Sequence, residues 1–226
     1  MKPVLLSLAF VLSTFSLQAS ANQNQTCYYT TMNASEEIYS FANLLSGASG
    51  LLNEFNNKTG EALHYSLVLA SGNTPPNDYL MTILNRADQN FFALKQRMDT
   101  SASHAQIINF SKLKNDFNAC LTEEVKLKCP QAISNFNNRL SSLVSNYGES
   151  TRQFASLTPA RNQVFSEMQN HYDNKIVMTP AKYQELSQII SLPIANFKLP
   201  LNRAHNDASA IPSIVENELA DCFLRE

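Results

Sequence analysis

Residues 33–71, NASEEIYSFANLLSGASGLLNEFNNKTGEALHYSLVLAS, decide the fold class. Ile38, Phe41, Leu45, Ala48, Leu52, Phe55, Thr59, Ala62, Ser66 and Leu69 follow one another at alternating spacings of three and four. That rhythm keeps small and apolar side chains on one side of an α-helix, as in a coiled-coil seam. Asn33, with Glu36 three residues on, offers a capping oxygen and a reciprocating carboxylate, so the first helix is expected over about 34–71. Gly47, Gly50 and Gly60 each cost about 1 kcal/mol inside a helix, and a kink is expected near Gly60.

The pattern continues on either side of Gly72-Asn-Thr-Pro-Pro-Asn77, a C-cap glycine followed by a capped, proline-bearing start. A second helix is expected over 76–120, on a stripe of Leu80, Leu84, Ala87, Phe91, Leu94 and Met98 that resumes with a phase shift after the polar run Asp99–Ser103. This reads as one bent helix or two nearly collinear ones. Pro130 opens a third helix over 130–157, and Thr158-Pro159 and Thr179-Pro180 open shorter ones over 159–175 and 180–191. Residues 193–210, with Pro193, Pro200 and a His205-Asn-Asp207 cluster, read as irregular, and 212–224 as a closing helix. Leu157–Gln163 and Met178–Gln184 resemble each other over seven positions, which two well-capped helix starts explain without a duplication. No run reads as a strand, so the expected fold is all-α: an elongated antiparallel helical bundle of long heptad-patterned helices.

Composition narrows the function classes. The chain has 226 residues, 17 Lys and Arg against 19 Asp and Glu, and a net charge of −2. No basic field is present to hold nucleic acid. Charged residues make up 16%, against roughly 25% in an average domain, and Asn, Gln and Ser occupy many positions where Lys and Glu usually sit. Five glycines leave little material for a phosphate-binding loop. With 44% hydrophobic residues, among them 13 Phe and 8 Tyr, the chain has enough to fill a core.

Residues 1–21 read as an export signal: Lys2, an apolar run from Val4 to Leu17, and Ala19-Ser-Ala21 as cleavage site. The remaining residues, 22–226, are expected to form one helical domain without a transmembrane segment, in a secreted or periplasmic setting. Asn24, Asn33, Asn57 and Asn109 fit the glycosylation acceptor pattern and are left unassigned. The four cysteines, Cys27, Cys120, Cys129 and Cys222, are even in number in an exported chain, which implies two disulfides among three possible pairings. Proximity along the chain favours Cys120–Cys129 across a short connection, leaving Cys27–Cys222 to tie the two ends.

Few groupings carry chemistry. Glu61 and His64 have the spacing found in di-iron bundles, and Glu167 with His171 is the nearest second pair, so these four are the candidate metal ligands. The two further inward carboxylates such a site needs are missing from the pattern, and no metal or other cofactor is expected. His171-Tyr-Asp173 and His205-Asn-Asp207 each set a base near a carboxylate, with no nucleophile motif to serve them. By elimination the expected function is a non-catalytic, exported interaction protein binding a protein or envelope component through a helical face. Tyr28, Tyr29, Tyr65 and Tyr172 are its candidate anchors. The rival readings are a carrier of a small ligand or metal between helices, and a membrane-active helical protein whose Phe-rich stripes face lipid.

Overall fold

A computed structural model of the chain describes the backbone of residues 4–224 and the side chains of residues 23–224. The expected export signal, residues 1–21, lies outside the described side chains. Among the described residues seven α-helices and one π-helix follow in order: α1 (Val4–Ser71), α2 (Asp78–Ile108), α3 (Phe110–Cys120), α4 (Glu123–Lys128), α5 (Pro130–Asp173), α6 (Pro180–Ser213), the π-helix (Ile214–Leu219) and α7 (Ala220–Leu224). No strand occurs among the described residues. The fold is an all-α antiparallel bundle with two disulfides, Cys27–Cys120 and Cys129–Cys222.

That pairing overturns the expected one. Cys120 and Cys129 do not bridge the connection between them, because α4 fills it. Thr122 caps this helix by accepting from the Val125 N–H, and its six residues at about 1.5 Å each extend about 9 Å. A disulfide needs Cα atoms roughly 4.4–6.8 Å apart. Cys27 on α1 and Cys222 on α7 meet that condition instead, at 5.7 Å from Cys120 and 5.9 Å from Cys129 respectively.

The result is two helical hairpins of equal build. In the first, α1 runs to a six-residue connection and returns as α2 and α3; in the second, α5 does the same and returns as α6, the π-helix and α7. Each has a disulfide of sequence separation 93, Cys27 within α1 to Cys120 at the end of α3, and Cys129 just before α5 to Cys222 in α7. Each connection holds one residue in the left-handed region, Asn73 at φ 49° and Lys175 at φ 55°. Positions correspond at a constant offset, Cys27 with Cys129, Asn73 with Lys175 and Cys120 with Cys222.

Three helix boundaries differ from the sequence reading, each for a packing reason, and between 76 and 120 the two-helix alternative is the one found. α1 runs through Asn33 without a start there, since Cys27, Tyr28 and Thr31 are buried upstream and the Thr31 hydroxyl donates to the Cys27 carbonyl. α2 and α3 are separate: Asn109 adopts φ 48° and its side chain caps α3 by accepting from the Lys112 N–H. α5 passes through Pro159, because Leu157, Ala160 and Val164 are all buried around it. α6 passes through 193–210, where Ile194, Phe197, Leu201, Ala204 and Ala208 bury one unbroken stripe. Burying each large apolar side chain is worth about 1.5–3 kcal/mol, and together they outweigh a proline's helix cost of about 3 kcal/mol.

The described residues pack as two compact units: 105–142 and 207–224 with the segment up to Phe41, and 42–104 with 143–206. In the first, Phe117 lies 4.4 Å from Phe136 between ring centroids, Phe41 sits edge-on to Phe110, and Tyr28 packs on Phe223. In the second, Phe55, Phe91, Phe154 and Phe197 form a chain of rings at 5.3–5.9 Å, taking one ring from each long helix. Among the described residues no helix is long and apolar enough to cross a membrane.

Candidate functional site

The hairpin connections bring three tyrosines together in the second unit. Tyr65 on α1 meets Tyr79 on α2 edge-on at 5.1 Å. The Tyr65 hydroxyl accepts from Asn77 Nδ2 at 3.0 Å, while Asn77 Oδ1 caps α2 through the Leu80 N–H. From α5, the Tyr172 hydroxyl donates to Asp78 at 2.5 Å. That bond, together with the nearby Asp78 charge, raises the Tyr172 phenol above its ordinary value. Lys175 lies 4.2 Å over the Tyr172 ring, and its left-handed backbone is held by the Ile176 N–H donating to the His171 carbonyl at 2.8 Å. Tyr79 is 56% exposed, and Val68 and Ile176 are exposed as well. Aromatic rings with wet polar ends, fixed by hydrogen bonds beside exposed β-branched residues, have the make-up of a protein-binding surface.

The candidate metal ligands are not brought together. Glu61 pairs with Lys58 at 2.6 Å, beside an exposed His64. Glu167 faces Lys182 at 3.3 Å, and His171 is buried with Nδ1 against the Ile176 carbonyl. Among the described residues no group of three or more His, Cys, Asp and Glu could hold a metal ion. No family model, curated protein or solved structure matches the chain.

The other sequence candidates divide. Tyr29 is half exposed, whereas Tyr28 is buried in the core with its phenol raised above the ordinary value, first by burial and then by the Glu216 charge. Tyr65 and Tyr172 belong to the patch just described. The His205-Asn-Asp207 grouping is split: His205 Nδ1 lies against the Ala42 carbonyl, while Asp207 accepts from Arg139 and Ser142. Tyr79 was not among the sequence candidates. Its position directly after a capped loop, off the Leu80, Leu84 and Ala87 stripe, is the signal that identifies it as surface.

Sequence reasoning also missed Arg161. It stands on the heptad stripe, half-buried over the rings of Phe165, Phe91 and Phe92 at 4.7–5.6 Å, and pairs with Asp88. Burial holds its guanidinium below the usual arginine value.

Proposed function

We propose that this is an exported, non-catalytic interaction protein that binds a protein partner at the tyrosine patch of its hairpin connections. The observation that supports this reading is the Tyr65, Tyr79 and Tyr172 cluster. Interfaces draw most of their energy from a few aromatic or arginine anchors within a polar rim, and this surface pairs two phenols, Tyr65 with Asn77 and Tyr172 with Asp78 and Lys175, and sets Tyr79 edge-on to Tyr65. Two disulfides and an even cysteine count fit an oxidising compartment, whether periplasmic or extracellular.

The test is capture of a partner from envelope or medium fractions by the oxidised protein at about 50 and 200 mM salt. Tyr79→Ala and Tyr172→Ala are each expected to abolish capture of a band that wild type retains at both salt levels. A band that both variants retain, or one lost by orders of magnitude at the higher salt, would overturn the proposal.

A further inference from the structure

The first unit holds a cleft of about 590 Å³ that the tyrosine reading does not use. Asn135, Asn138, Arg139 and Ser142 of α5 line one side, and Asp207 and Glu218 the other. Asp207 is only 5% exposed. It accepts from Arg139 Nη1 at 2.8 Å and from Ser142 Oγ at 2.6 Å, so its charge is matched by the guanidinium. Glu218 differs. Its half-buried carboxylate accepts from the neutral Asn135 amide at 2.8 Å, and among the described residues no cation pairs with it. One cation and two carboxylates leave the cleft a single net negative charge.

The first hairpin shows what a neutralised version looks like. Asp116 stands four residues before Cys120, as Glu218 stands four before Cys222, and it also lines a groove beside its disulfide. There Lys112, one turn earlier and itself outside the groove lining, pairs with Asp116 at 2.5 Å. The residue at the corresponding place in the second hairpin is Ile214, which also lines the cleft. The counterpart cation is therefore replaced by an apolar wall, and the turn that carries both Ile214 and Glu218 is the π-helix. Such widened turns occur often at functional sites.

A partly desolvated carboxylate without a cation is costly unless a charged partner completes it. We propose that the cleft binds a small hydroxylated amine, the chemistry of an amino sugar. Its ammonium group sits on Glu218, and its hydroxyls meet the Asn138 amide and the exposed part of the Arg139 guanidinium. A cleft of this size holds one or two rings, and its lack of aromatic lining favours a polar ligand over a flat apolar one.

Isothermal titration of the full, oxidised protein tests this with D-glucosamine, glucose and Nα-acetyl-lysine amide as probes. Glucosamine is expected to bind saturably. Glucose, which keeps the hydroxyls and lacks the charge, and the lysine derivative, which keeps the charge and lacks the hydroxyls, are each expected to bind about tenfold more weakly or worse. Glu218→Gln preserves size and hydrogen bonding to Asn135 and is expected to remove the preference for glucosamine over glucose, whereas Asp116→Asn leaves it intact. No saturable glucosamine binding up to the solubility limit, equal binding of glucose, equal binding of the lysine derivative, or an unchanged preference in Glu218→Gln would each overturn the assignment. The wild-type comparison of three probes needs no variant to fold.

Discussion

The hairpin of Cys27–Cys120 and the hairpin of Cys129–Cys222 share their spacing, their six-residue connections and the place of their left-handed residue, yet differ in how the returning helix reaches its disulfide. In the first, Asn109 breaks the helix in the left-handed region, and α3 restarts in a new phase with Phe110, Leu113 and Phe117 buried. In the second, the helix widens. The Ala220 N–H reaches back five residues to the Val215 carbonyl, and Asn217 Nδ2 satisfies the Ser213 carbonyl, just past Pro212. A break and a bulge are two ways of resetting helical phase so that the last cysteine faces the first helix. The disulfide position is thus the common constraint, and the helix geometry ahead of it is free to vary.

The largest test of that equivalence is removal of the disulfides. Closing a loop of separation 93 removes about 4–5 kcal/mol of denatured-chain entropy on the loop model. Cys27→Ala with Cys120→Ala, and Cys129→Ala with Cys222→Ala, are each expected to lower unfolding free energy by about that amount and by similar amounts. Denaturant melts of the two double variants check this. A difference above about 2 kcal/mol would mean that one disulfide is strained or redundant, and the hairpins are not energetic equivalents. Non-reducing peptide maps should return the same two pairs.

Much of the all-α architecture was legible, because the stripe from Ile38 to Leu69 is long and regular enough to carry the helix through Gly47, Gly50 and Gly60. The pairing of the cysteines was also in the sequence, in a form that proximity obscured: Cys27 to Cys120 and Cys129 to Cys222 are the same distance along the chain. Corresponding core positions such as Phe41 and Leu143, or Ala62 and Val164, share burial but not identity, so a search for similar letters does not find the repeat. Positions 157–163 and 178–184, which do look alike, are the interior of one helix and the start of another. The boundaries at Pro159 and through Pro193 and Pro200 were illegible because tertiary burial overrides local preference there. At the surface, the meeting of Tyr65, Tyr79 and Tyr172 depends on two loops far apart in sequence being neighbours, and no local pattern encodes that.

A second contrast lies within the second unit. Arg161 on α5 and Asp88 on α2 form an ion pair over three Phe rings, while their counterparts at the same offset are Thr59 on α1 and Ile190 on α6, both buried. Asp88→Ala is expected to destabilise by about 2–3 kcal/mol, less than the 3–5 of a fully buried pair because both side chains keep some solvent contact. Converting both residues to the counterpart pair, Arg161→Thr with Asp88→Ile, is expected to recover most of the loss. If the double variant is no better than the single one, the two hairpins do not offer interchangeable environments. Smaller still is the effect at Thr59, whose buried hydroxyl has no hydrogen-bond partner among the described residues. Thr59→Val removes that unsatisfied group at equal volume and is expected to stabilise by about 1 kcal/mol, measured as a rise in denaturation midpoint with unchanged slope.

The smallest effect concerns the connections themselves. Tyr172, in the last turn of α5, donates to Asp78 at the start of α2, and that bond raises its phenol above the ordinary value of about 10. The corresponding residue before the first connection is Ala70, which has no such group. A phenol whose folded value lies above its unfolded one contributes stability that is complete below about pH 10 and is lost as pH rises through the folded value. The two connections should therefore part company only in alkali. Followed by phenolate absorbance, wild type should show, besides Tyr28 and Tyr147, whose phenols burial also raises, a tyrosine titrating above the usual range that is absent in Tyr172→Phe. In Asp78→Asn the same tyrosine should return toward about 10, because the amide oxygen still accepts the bond but no longer repels phenolate. A Tyr172 that titrates normally in the folded wild-type protein would show that the bond to Asp78 does not persist in solution, and would remove the tether that joins the tyrosine patch across the two hairpins.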